Sequence, residues 1–145
     1  MNRKSILLLI LRFILGVVFI AASVNKIKEP VAFADSIDNY RMLPYVLVSL
    51  MAIILPWVEL IVGLLLIVGR WLKTSSLIVI ALNIVFIVAI SSAMIRGLDI
   101  ECGCFSVKGN GVQVGVLRLV EDFVFLTMAF IIYRTDKVVN PATRK

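Results

Sequence analysis

Histidine is absent from this chain of 145 residues, and cysteine occurs only twice. Losing histidine removes the commonest general base and the commonest metal ligand. Charge is scarce as well, at 17%, where a soluble domain carries about a quarter. With 61% of residues hydrophobic and a mean hydropathy of +1.07, no water-soluble core could hide so much apolar surface. The surplus must face lipid, so the sequence describes a membrane protein. Its length leaves room for one domain, residues 1–145. A net charge of +6 raises the question of nucleic acid. The basic residues nevertheless lie scattered at the edges of apolar runs and form no stripe on a polar face. Anchoring at lipid headgroups accounts for them, and no nucleic-acid partner is expected.

Long apolar runs are what the chain has in abundance. A helix needs roughly 20 apolar residues to cross a hydrocarbon core. Four segments meet that length: Ser5–Val24, Val46–Val68, Leu72–Ile95 and Val114–Tyr133. The expected fold is therefore all-α, a bundle of four transmembrane helices. The first segment also has a signal-peptide look, with Arg3 and Lys4 before the apolar run and Ala21-Ala22-Ser23 after it. Its length and the interrupting Arg12 favour a retained helix, and Gly16 suits close helix packing. Between the first two runs lies a connector, Asn25 to Tyr45. Pro30 can open a short helix there, and Val31, Phe33, Ala34, Ile37 and Tyr40 fall near helical spacing. This predicts a short amphipathic helix at the membrane surface, ending before Pro44.

Lysine and arginine set the orientation. One side collects Arg3, Lys4, Arg70, Lys73, Arg134, Lys137, Arg144 and Lys145, and the other only Lys26, Lys28, Arg41, Arg96 and Lys108. The positive-inside rule then puts both termini in the cytoplasm, with the protein multi-pass in the plasma (inner) membrane. The connector between the third and fourth runs, from Arg96 to about Gln113, would be extracytoplasmic. It carries both cysteines.

Those cysteines form the unit Cys102-Gly103-Cys104, the first candidate for chemistry. A disulfide needs Cα atoms roughly 4.4–6.8 Å apart, which residues one apart reach only in a bent backbone. Gly103 supplies the torsional freedom. A ring so small should be strained, and strained disulfides tend to be labile and oxidising. Arg96 and Lys108 favour thiolate, whereas Asp99 and Glu101 oppose it. Two other readings stay open: a pair of inert thiols, and a metal site completed by a partner. The second suits the donors poorly, since two thiolates fall short of the usual four zinc ligands; no metal is expected.

Charges at membrane depth are the second candidate. Glu59, inside an apolar run, should be paired, protonated or functional. Arg118, Glu121 and Asp122 open the last run, with Arg118 and Glu121 three residues apart on one face. They could equally be headgroup-level anchors. Asn83 suits hydrogen bonding between helices. Arg12 can snorkel to the inner surface or pair with Glu59, and depth favours snorkelling. Phe33, Tyr40, Tyr45, Phe105, Phe123 and Phe125 gather near the outer interface. They could flank a flat lipid-soluble quinone, although an aromatic belt is the ordinary explanation.

The pattern Arg96-Gly97 … Cys102-Gly103-Cys104-Phe105, followed by Arg118 … Glu121-Asp122, resembles the MauE family, which is grouped with DoxX-like four-helix membrane proteins. Asn25-Lys26, Tyr40 … Leu43-Pro44 and Pro56-Trp57-Val58-Glu59-Leu60 … Gly63 are similar to the same family's pattern, so the likeness spans nearly the whole chain. Ser106 departs from it where glycine is expected. The resemblance implies a membrane protein of methylamine utilisation, associated with a thioredoxin-like partner and with maturation of a disulfide-rich periplasmic subunit. By analogy of fold, it also implies a role like that of DsbB and VKOR proteins, which pass electrons from thioredoxin-like proteins to quinone. The resulting expectation is a thiol–disulfide redox protein. Cys102 and Cys104 would be reactive, and Gly103, Phe105, Arg96, Glu59, Arg118, Glu121 and Asp122 supporting. The competing expectation is a non-catalytic anchor or assembly factor that docks a thioredoxin-like protein, with the cysteines bracing a loop. A small transporter built on Glu59 is a third, and would have to oligomerise to form a path.

Overall fold

The computed structural model describes residues 3–97 and 111–139. These residues form five helices: α1 (Arg3–Lys28), α2 (Pro30–Asn39), α3 (Tyr45–Val68), α4 (Leu72–Ile95) and α5 (Gly111–Val139). Among the described residues there is no strand. α1, α3 and α4 are long and apolar enough to cross a membrane. α5 is longer than any of them, at 29 residues. Charges at both its ends, Arg118, Glu121 and Asp122 against Arg134, Asp136 and Lys137, keep it below the same standard. The short connector helix forms where the sequence predicts it, with Pro30 at its start. Missing an N–H costs nothing in a first turn, where that group has no helical partner.

The helix surface is largely apolar. Leu7, Phe13, Ile53, Ile54, Trp57, Leu77, Val85, Val88 and Phe123 all stand exposed. No monomer keeps such continuous apolar surface in water. Together with the three spanning-length helices, it marks a multi-pass membrane protein.

Two helix pairs make the bundle, α1 with α3 and α4 with α5, and each is packed more extensively within itself than against the other. In the first pair, Gly16 and Gly63 bring the backbones into contact. A Cβ on Gly63 would lie 2.9 Å from the Gly16 carbonyl oxygen, and one on Gly16 would lie 2.8 Å from that of Gly63. Small residues permit this approach in lipid, where dispersion rather than water exclusion drives association. Leu8, Leu15, Phe19, Val62, Leu66, Leu72, Val79, Ala129 and Ile132 fill the core shared by both pairs.

Arg12 does not reach Glu59. Its Nε donates to the Leu66 carbonyl at 3.0 Å, and its guanidinium also reaches the Ile67 carbonyl at 3.4 Å. These carbonyls belong to the last turn of α3, where the helix dipole is negative and helical donors have run out. Gly69 ends that helix with φ +83°, and a side chain there would run into the Arg12 guanidinium. At the opposite end a smaller cluster of Tyr40, Ile90 and Ala93, with Leu119 against it, joins the α2–α3 connector to α4 and α5.

Candidate functional site

A cleft with mostly apolar walls and charged residues among its lining opens on the seam between the two helix pairs. α1 contributes Phe19, Ala22 and Lys26, α3 Glu59, α4 Asn83, Phe86 and Ile90, and α5 Arg118, Glu121, Asp122 and Phe125. The space inside it is small, about 50 Å³.

At its floor lies a buried ion pair. Lys26 Nζ donates to both carboxylate oxygens of Glu59, at 2.6 and 2.8 Å, and both side chains are at most 4% exposed. The phenyl rings of Phe33 and Phe86 flank the ammonium, their centroids 4.9 and 5.3 Å away. Phe33, itself buried, is the contribution of α2. Helix geometry explains the pairing. At the glycine crossing α1 and α3 run antiparallel, and from its register Lys26 sits about 9 Å along the axis from Glu59. Each Cα–Cβ bond tilts toward its own helix N-terminus, so the two side chains lean toward each other and close that gap.

The pair is expensive in hydrocarbon. Desolvating two charges costs several kcal/mol per ion, which the mutual attraction only about repays. It also lies one turn beyond Pro56, which has no N–H to donate to the Ala52 carbonyl.

On the α5 wall of the cleft, Arg118 Nη1 donates to Glu121 Oε2 at 2.6 Å, the pairing expected three residues apart on one helix face. Asp122 follows on the same wall. Asn83 donates its amide to the Val79 carbonyl at 2.8 Å, one turn back in its own helix. That bond lies within α4 rather than across helices as expected.

Four of the anticipated residues, Glu59, Arg118, Glu121 and Asp122, therefore share one cleft. Arg96 stands apart from it. Its Nη2 donates to the Tyr40 carbonyl at 2.5 Å and its Nη1 to that of Arg41 at 3.4 Å, while its Nε donates to the Ser92 carbonyl in the last turn of α4 at 3.3 Å. Cys102, Gly103, Cys104 and Phe105 lie outside the described residues, as do Asp99, Glu101 and Lys108. Of the expected outer aromatic belt, Phe33 and Tyr40 are buried, Phe125 lines the cleft, and Tyr45 and Phe123 remain exposed. Lys26 is the residue that sequence reasoning missed, having been assigned to the membrane surface. The signal was available: Gly16 and Gly63 define a crossing that leaves Lys26 within reach of Glu59.

Comparison with known proteins agrees with the pattern of motifs. The family model for methylamine utilisation protein MauE matches residues 4–134. The chain belongs to the MauE family. Methylamine utilization protein MauE of Paracoccus denitrificans is 31% identical over 125 residues, covering 84% of this chain and 66% of the relative. The protein of the same name from Methylophilus methylotrophus is 28% identical over 115 residues, covering 79% of this chain and 60% of the relative. The chain thus spans somewhat under two thirds of the length of each of these MauE relatives. No solved structure matches it.

Proposed function

We propose that this MauE-family protein is a membrane thiol–disulfide redox protein whose working pair is Cys102 and Cys104. One observation carries the reading. The chain between α4 and α5 holds both cysteines, and these two helices also carry Asn83, Phe86, Arg118, Glu121 and Asp122, which line the cleft. Arg96 supports it by tying the end of α4, just before that segment, to the carbonyls of Tyr40 and Arg41. The relatives' names add a setting, methylamine utilisation; the partner in this reading is a thioredoxin-like extracytoplasmic protein.

In this scheme a thiolate of the reduced partner attacks the Cys102–Cys104 disulfide, forming a mixed disulfide and releasing one cysteine as thiolate. The partner's second thiolate then attacks the mixed bond. The partner leaves with a disulfide, and Cys102 and Cys104 are left as a dithiol. Their reoxidation requires an acceptor for two electrons and two protons, which a bound quinone would supply. Phe19, Phe86 and Phe125 give the cleft flat apolar walls, and these support placing such a group there in this reading. α5 serves as the fourth membrane crossing, with Arg118, Glu121 and Asp122 lining the cleft near one end. α2 lies at the outer surface, and both termini are on the cytoplasmic side of the inner membrane, with the Cys-Gly-Cys segment outside.

Thiol trapping in native membranes tests the reading. The cysteines should be labelled by an alkylating reagent that cannot cross lipid, applied from outside, only after reduction. Cys102→Ser and Cys104→Ser should each stop oxidation of the partner. Normal partner oxidation in both variants would leave the docking role standing and remove the redox one.

A further inference from the structure

We infer that α2 is a hinged lid over the Lys26–Glu59 pair, latched by Arg96, and that the narrow cleft is its closed state. The inference concerns access to the pair and stands whether or not the cysteines exchange electrons. α2 is held differently from the four long helices. Of its ten residues Phe33 is buried, while Val31, Ala32, Asp35, Asp38 and Asn39 stand exposed. The Phe33 ring lies on the Lys26 ammonium, its centroid 4.9 Å away. Just past the helix, buried Tyr40 packs with Ile90 and Ala93 of α4. Lys26 and Ile90 both line the cleft, so α2 backs it from near its two ends.

Both corners suit a hinge. Pro30 has no N–H for the Lys26 carbonyl, which interrupts the hydrogen-bond ladder that would fuse α1 and α2 into one helix. At the far corner Arg41 has φ +47°, a left-handed conformation that is costly for a residue with a side chain. Arg96 holds that corner shut through the carbonyls of Tyr40 and Arg41, at the negative end of the α2 dipole. Because Arg96 is itself exposed, water can take over these hydrogen bonds. The corner therefore has two arrangements: latched with Arg41 strained, or released with that strain relaxed. The ion pair favours release too. Lifting Phe33 wets both charges and removes the desolvation cost that they bear when dry. A floor of apolar side chains would oppose the same motion, since water would then meet apolar surface.

Lys28 provides an internal reference, being exposed two residues beyond Lys26. The whole protein in lipid nanodiscs is treated with an amine-acetylating reagent, and both lysines are followed by mass spectrometry. Hydrogen exchange of α2 and α3 amides is measured alongside. In the wild type Lys26 should react far more slowly than Lys28, and α2 should exchange at least about tenfold faster than the middle of α3. Arg96→Gln should raise Lys26 acetylation and α2 exchange together by about tenfold, as loss of a charge-assisted hydrogen bond implies, leaving Lys28 and α3 unchanged. The apolar double variant Lys26→Met/Glu59→Leu should instead slow α2 exchange by at least about threefold. Wild-type α2 that exchanges no faster than the middle of α3 overturns the inference. So does a folded Arg96→Gln protein in which Lys26 acetylation stays at the wild-type rate, whether or not α2 exchange rises, because α2 would then fray without uncovering the pair. Unchanged or faster α2 exchange in the double variant also overturns it.

Discussion

The two ends of this bundle treat charge in opposite ways. At the end near Gly69, Arg12 spends its guanidinium on the carbonyls that end α3, beside a glycine contact that leaves no space between backbones. Every polar group named there serves a helix end. Toward the other end, Lys26, Glu59, Arg118, Glu121 and Asp122 line a cleft instead. Charge that finishes a helix is structural. Charge that lines a cleft in hydrocarbon, paired at a cost of several kcal/mol, calls for another explanation.

Substitutions can break or sharpen this contrast. The largest effect is expected at the cleft floor. Glu59→Ala leaves the Lys26 ammonium buried and uncompensated, and should lower stability in detergent by about 3–5 kcal/mol, read from thermal or denaturant unfolding. Adding Lys26→Met should restore most of that loss; if it does not, the pair is part of the packing and the contrast fails. Next comes the glycine crossing. Gly63→Val would press a side chain against the Gly16 carbonyl and should cost about 2–3 kcal/mol. No second substitution at the charged sites should rescue it.

A smaller loss, about 1–2 kcal/mol, is expected for Arg12→Met, which removes hydrogen bonds and a favourable charge from the end of α3. Disulfide exchange at the cysteines should be untouched, because the contact lies at the other end of the bundle. Arg118→Gln should change stability least, by under about 1 kcal/mol, since Glu121 is more than a third exposed and its pairing is screened. Slower reoxidation of the cysteines with unchanged stability would place Arg118 with the functional half; no change in either would return it to the role of headgroup anchor.

Helix positions were legible to a degree that follows from their physics. Val46–Val68 and Leu72–Ile95 emerge as Tyr45–Val68 and Leu72–Ile95, because proline or glycine bounds one and a tight turn opens the other. The ends of α1 and α5 were drawn short at Val24 and Tyr133. There the apolar pattern stops but the backbone continues as helix to Lys28 and Val139. The short helix opened by Pro30 was also legible, from proline placement and spacing. The Arg118–Glu121 pair could be read because both lie on one helix.

What the sequence concealed was contact between helices. Arg12, Lys26 and Glu59 are three charges in apolar surroundings, and hydropathy alone does not say which two meet. The answer came from the register imposed by Gly16 and Gly63, together with the direction in which helical side chains lean. Lys26 near the end of an apolar run looks like a surface anchor. Only α3 alongside it, with Phe33 and Phe86 against its ammonium, makes it an interior group.

The division into two helix pairs has a mechanical consequence. α1 and α3 touch backbone to backbone, so they have little freedom to slide or part, and motion is left to the join with α4 and α5. The cleft lies along that join. A molecule arriving sideways from the lipid could therefore enter by spreading one hinge line, while each half keeps its own shape.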